Sequence, residues 1–140
     1  MGRIVALDYG RARIGIAMSD ERGTIGLPFK TLVAGKTLEK SVDALLENLK
    51  IYLPKIDKFI LGMPLLLSGK KGEMALEVEK FKSLLEKKTT IPVILWDERL
   101  TSAQADNFLK EMNLSRKKRS EKSDSMAALI ILQNYLDSQS

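Results

Sequence analysis

Ile4-Val5-Ala6-Leu7-Asp8-Tyr9-Gly10-Arg11-Ala12-Arg13-Ile14-Gly15-Ile16-Ala17-Met18 is the stretch that decides the fold. An apolar run ends on a carboxylate, turns through Gly10 and resumes as a second apolar run. Asp8 therefore stands where a short buried strand delivers a negative charge to a sheet edge. Desolvating a carboxylate is costly, so an acid at such a place has a partner: a metal ion, a phosphate-bound metal, or an arginine. A turn-capping aspartate is the simpler alternative.

Strands are expected at Arg3 to Leu7, Ile14 to Ser19 and Thr24 to Val33. Asp20-Glu21-Arg22-Gly23 reads as the turn of a hairpin between the second and third. Three strands joined this tightly run antiparallel, and Pro28 makes the third an edge. Thr37 caps a helix running to about Leu53, where Pro54 stops it. Lys58 to Met63 is a buried strand, and Pro64 to Gly72 a loop. Glu73 to Lys87 is a helix with Met74, Val78, Phe81 and Leu85 on one face, and Pro92 to Trp96 is a fifth strand. Thr101 and Gln104 form a capping-box signature for a helix ending near Asn113. Leu114 to Lys122 reads as a basic loop, and a last helix runs from near Ser123 to near Leu136. The later strands arrive through helical crossovers and so lie parallel to the first, giving an α/β fold with a mixed sheet and helices on its faces.

Composition bounds the chemistry. The 140 residues make one domain, 1–140, large enough for a real core. No apolar run approaches the roughly 20 residues that span a membrane. The N-terminus passes straight into a strand and there is no cysteine, so a cytoplasmic protein with no membrane association is expected. Histidine is absent too, which removes Ser-His-Asp triads, thiol nucleophiles and zinc sites of imidazole or thiolate. A metal must then be held by oxygen, which favours Mg2+ or Mn2+. The net charge of +5 suits a polyanionic partner.

In an open α/β sheet, ligands gather beyond the carboxyl ends of parallel strands. Asp8 and the pair Asp97-Glu98 stand at such ends, and Asp124 falls in the expected first turn of the last helix. Strand alternation sends Asp97 and Glu98 to opposite sides, so at most one faces Asp8. Two carboxylates about 4 Å apart repel by about 4 kcal/mol at an effective dielectric of about 20. Converging acids thus call for a counter-charge, and divalent metals that clamp a phosphodiester supply it. Each acid also has a plain structural reading: Asp124 as a helix-dipole partner, and Asp97 and Glu98 as a solvated cluster with Arg99. Arg116, Lys117, Lys118, Arg119 and Lys122 form a basic run beside Asp124, either a solvated charge run or a grip on phosphates, to which Arg11 and Arg13 could add. Trp96 reads as core, and few exposed aromatics are evident for base stacking.

Four segments in order, Asp8-Tyr9-Gly10 with Gly15-Ile16-Ala17, Gly62-Met63-Pro64 with Gly69, Asp97-Glu98-Arg99-Leu100-Thr101-Ser102, and Asp124 with Ala127-Ala128, resemble the motifs of the YqgF family, also called RuvX, of the ribonuclease H-like superfamily. Ser68 departs from the acid that the family often places before the glycine. The resemblance implies a five-stranded mixed sheet of order 3-2-1-4-5 and a metal-dependent endonuclease with Asp8, Glu98 and Asp124 as catalytic ligands. It implies processing of the 5′ end of precursor small-subunit ribosomal RNA, and Arg99 is counted with the basic residues expected to hold nucleic acid. A Holliday junction resolvase acting on branched DNA, which would work as a homodimer rather than a monomer, and a noncatalytic RNA-binding module are the alternatives.

Overall fold

The computed structural model describes residues 2–64, 70–97 and 116–139, with backbone alone for 116–123. Its strands are β1 (Arg3–Tyr9), β2 (Arg13–Ser19), β3 (Gly26–Val33), β4 (Ile56–Met63) and β5 (Val93–Asp97). Its helices are α1 (Leu38–Asn48), α2 (Glu73–Lys88) and α3 (Arg116–Ser138). The described strands form one sheet in the order β3-β2-β1-β4-β5. β1 pairs antiparallel with β2 and β2 with β3, whereas β1–β4 and β4–β5 are parallel. The expected order and directions are those observed.

β1 is the middle strand, and its alternation builds two cores. Val5, Leu7 and Tyr9 face α1 and α2, in a cluster with Ile14, Ile16, Phe59, Leu61, Val78 and Phe81. Ile4 and Ala6 face the other way, with Ala17 and Ile60, onto Ala128, Ile131, Leu132, Tyr135 and Leu136 of α3. Those α3 positions recur at helical spacing and form one apolar stripe. Trp96 is half-buried on the α3 side, edge-on to Tyr135 with ring centroids 5.4 Å apart.

The β2–β3 turn is held by Asp20. Its Oδ1 accepts from the backbone N–H groups of Thr24 (2.8 Å) and Ile25 (3.0 Å), and Gly23 supplies the positive φ of 71°. These hydrogen bonds hold the Asp20 carboxyl below the usual aspartate range. β3 is the edge, as Pro28 requires. Ile16 pairs with Lys30 and Ala17 with Pro28, so Phe29 is an extra residue that bulges the strand beside the proline.

β1 runs on through Asp8 to Tyr9 rather than ending at Leu7, β4 starts at Ile56 rather than Lys58, and three other differences from expectation have a traceable cause. β3 begins at Gly26 rather than Thr24, because Thr24 and Ile25 are bound into the turn by Asp20. Thr37 does cap α1, its Oγ1 accepting from Lys40 N at 3.1 Å, but the helix ends at Asn48. The chain leaves it through turns closed on Leu49, whose carbonyl accepts from Tyr52 N (2.8 Å) and Leu53 N (3.0 Å), and passes into a 3-10 turn at Leu53–Lys55 with Pro54 near its start. The third is at the basic run. Residues 116 to 122, expected as a loop, are helical backbone at the start of α3. Arginine and lysine are good helix formers, and a charged run extends a helix as readily as it solvates a loop. Asp124 consequently sits in the third turn of α3 and not the first, which removes the helix-dipole account of it. The helix expected at 101–113 and the loop at Leu65–Gly69 fall outside the described residues.

Candidate active site

Asp8 lies on the α3 face of the sheet, in step with Ile4 and Ala6 on β1. It is half-buried. Its cross-strand partner on β2 is Gly15. On the other side Leu7 pairs with Leu61, so Gly62 stands level with Asp8, and Gly62 in turn pairs with Trp96. The carboxylate thus projects from a row in which both its neighbours are glycines.

Gly15 is where the helix meets the sheet. A Cβ there would overlap the carbonyl of Asp124 and come within 2.9 Å of the Ser125 amide nitrogen. The α3 backbone therefore rests directly on β2 beside Asp8, an approach only glycine allows. This contact brings two acids, 116 positions apart in sequence (124 − 8), to the same face at the same level of the sheet.

Asp124 is three-quarters buried at its side chain, 25% exposed, and faces Arg13 of β2. Arg13 Nε lies 2.9 Å from Asp124 Oδ2, but this oxygen has no aligned hydrogen bond among the described residues. Burial pushes the Asp124 carboxyl above the usual aspartate range, and the charge of Arg13 opposes that push. A buried carboxylate oxygen short of hydrogen bonds, in a chain whose only metal donors are oxygens, fits a hard divalent cation. Among the described residues no group of three acids forms a complete cage.

Asp97 is placed on the other side. It ends β5, pairs with Met63 and shares the face of Val93 and Leu95, away from Asp8. Glu98 and Arg99 fall outside the described residues. Arg116, Lys117, Lys118, Arg119 and Lys122 contribute helical backbone to the first two turns of α3, and their side chains lie outside the described residues.

Arg11 is engaged in a way its sequence position did not announce. Its Nε lies 2.8 Å from Glu77 Oε2 of α2, and its Nη2 3.9 Å from Glu73. Tyr9 donates its hydroxyl to Glu77 Oε1 at 2.8 Å and packs on Phe81, centroids 5.1 Å apart. Burial and the neighbouring carboxylate push the Tyr9 phenol up to about 12, while Arg11 and Tyr9 hold the Glu77 carboxyl below its usual range. One glutamate on α2 thus ties down both ends of the Tyr9-Gly10-Arg11 turn that follows Asp8. Nothing local in the sequence singled out Glu77, since both its partners lie more than 60 residues away.

A cavity of about 680 Å³ opens at the opposite end of β1, around Arg3, Phe29 and Tyr52. It is remote from Asp8, and its Asp20 already serves the turn.

A five-stranded mixed sheet of order 3-2-1-4-5 with helices on its faces is the arrangement of the ribonuclease H-like fold. RuvC of Thermus thermophilus, solved in complex with a Holliday junction substrate, shares this fold with a TM-score of 0.59 at 13% identity, over 99% of this chain and 96% of that one. The family described as RuvX, Holliday junction resolvase, matches residues 2–138, and the chain belongs to it. A relative from Protochlamydia amoebophila (strain UWE25), named as a candidate pre-16S rRNA nuclease, is 45% identical over 98% of this chain and 94% of its own length. Another from Syntrophomonas wolfei, named likewise, is 42% identical over 96% of this chain and 94% of its own.

Proposed function

We propose that this protein is an endonuclease that hydrolyses phosphodiester bonds in structured nucleic acid, with precursor small-subunit ribosomal RNA as its substrate and the cytoplasm as its place of work. Asp8, Glu98 and Asp124 are the catalytic carboxylates of this reading, holding Mg2+ or Mn2+. The observation that carries it is the seating of α3 on Gly15, which sets Asp124 on the face and at the level of Asp8. Glu98 rather than Asp97 is taken as the third acid because Asp97 shares the opposite face with Val93 and Leu95. The names of the relatives support the choice of substrate.

When bound, the cation would supply Lewis acidity at the phosphate and lower the pKa of water, in a chain with no histidine to serve as a general base. The chain's own part is positioning. β1, hydrogen-bonded on both sides, fixes Asp8. The Tyr9–Glu77–Arg11 contacts hold the turn beyond it. α3 carries Asp124 in, and its basic first turns offer cations to the phosphate backbone.

The family description favours a second substrate, the four-way DNA junction. The test separates the two. Purified protein is incubated with precursor small-subunit rRNA and with a junction, each with Mn2+ or EDTA, alongside folded Asp8→Asn. Cation-dependent cutting of the RNA, lost in Asp8→Asn, is expected. Cutting of the junction alone would transfer the function to DNA. Undiminished RNA cleavage by Asp8→Asn would remove the carboxylate mechanism.

A further inference from the structure

We propose that Arg13 is a resident counter-cation: its guanidinium holds the Asp124 carboxylate while no divalent ion is bound, and it competes with that ion for the same oxygen. The inference rests on the carboxylate reading of the site given above. Arg13 Nε is 2.9 Å from Asp124 Oδ2, so a positive charge already occupies the approach to this acid. The contact is electrostatic rather than a well-aligned hydrogen bond, since Oδ2 has no hydrogen-bond partner among the described residues. Little directional bonding is therefore lost when it separates.

Two further features allow the exchange. The Arg13 side chain is 39% exposed at the start of β2, so it has solvent to turn into, whereas Asp124 is anchored by the backbone contact with Gly15. Arginine cannot relieve the conflict by losing its proton, so it yields only by moving aside. The arrangement keeps a largely buried carboxylate compensated while no cation is bound, at the expense of cation affinity.

The test is calorimetric titration of the full chain with Mn2+ alone. Removing the competing charge in Arg13→Gln tightens Mn2+ binding by about tenfold, within the usual range of coupling between two sites. Arg13→Lys keeps the charge and stays near wild type, and Asp124→Asn binds weakly. Equal or weaker binding by Arg13→Gln, with wild-type binding intact, overturns the competition and leaves the metal site standing. Absence of binding by both wild type and Arg13→Gln overturns the metal site, and the competition with it. A second measurement needs no stable Gln variant. The Arg13 Nε–H resonance, assigned by its loss in Arg13→Lys, shifts as wild type is saturated with Mg2+. A resonance that stays fixed while Mg2+ binds overturns the proposal.

Discussion

Replacing Gly15 by alanine adds one methyl group at the seat of α3. Gly15 does not have a positive φ, so its backbone conformation is open to any residue. On intrinsic grounds alone, Gly→Ala at such a position stabilises a protein by about 0.4–1 kcal/mol through the unfolded chain. The contact reverses the sign. The new Cβ would overlap the Asp124 carbonyl and stand 2.9 Å from Ser125 N, and both obstacles are backbone. The helix has to lift by well over ~1 Å before ordinary van der Waals distance returns, and a gap of 0.5–1 Å already forfeits about a quarter to a half of each packing contact it opens. Overpacking costs about 1–3 kcal/mol, and a rigid obstacle belongs at the upper end, near 3 kcal/mol. Gly26→Ala is the control. Its Cβ would meet Leu132 Cδ2 at 2.8 Å, the mobile end of a side chain, so a loss below about 1.5 kcal/mol is expected. Urea denaturation of both variants measures the difference as a shift in midpoint at unchanged slope. In the cleavage assay, displacement of Asp124 by more than about 1 Å costs Gly15→Ala on the order of a hundredfold in rate or more. A Gly15→Ala midpoint at or above wild type would refute the claim that this glycine seats the helix.

Tyr9→Phe keeps the ring against Phe81 and removes only the hydrogen bond to Glu77, so a loss of about 1–2 kcal/mol is expected in the same urea assay. With the Tyr9 phenol up at about 12, stability is fully present below about pH 10 and falls as pH rises toward 12. A spectrophotometric titration should find one of the three tyrosines ionising late, and Tyr9→Phe should abolish that step. Asp20 works at the other end of the scale. Its carboxyl is held low, so its contribution is full above about pH 4 and fades as pH falls below that, and Asp20→Asn should flatten this acid limb of the stability curve. Thr37→Ala removes the α1 cap and should cost about 1 kcal/mol by urea denaturation.

Much of the sheet could be read from short connections alone. The links after β1 and β2 are too brief for crossovers, which forces the antiparallel arm, and Pro28 puts β3 on the outside. Helix ends were less legible, because they depend on tertiary support rather than local preference. α1 ends at Asn48 although Tyr52 and Leu53 beyond it still pack on the core, so the apolar spacing ran on past the helix, while the basic residues 116–122 carry no pattern that tells loop from helix. Asp8 was conspicuous as a charge closing an apolar run. That Asp124 joins Asp8 was an inference about packing; what the structure adds is the close approach of the Asp124 backbone to Gly15, the cross-strand partner of Asp8. The clamp on Glu77 is a wholly nonlocal contact, so no window of sequence contains it.

The two acids are supported unequally. β1 has neighbours bonded along both edges and lies between two apolar layers, whereas α3 rests on the sheet from one side only. Opening in folded proteins begins with the least interlocked elements. Detachment of α3 would carry Asp124 off and leave Asp8 where it is, so under the proposed carboxylate mechanism catalytic competence is lost well before the sheet melts. Amide exchange should find the α3 protons less protected than those of β1, and inactivation by mild denaturant should precede global unfolding.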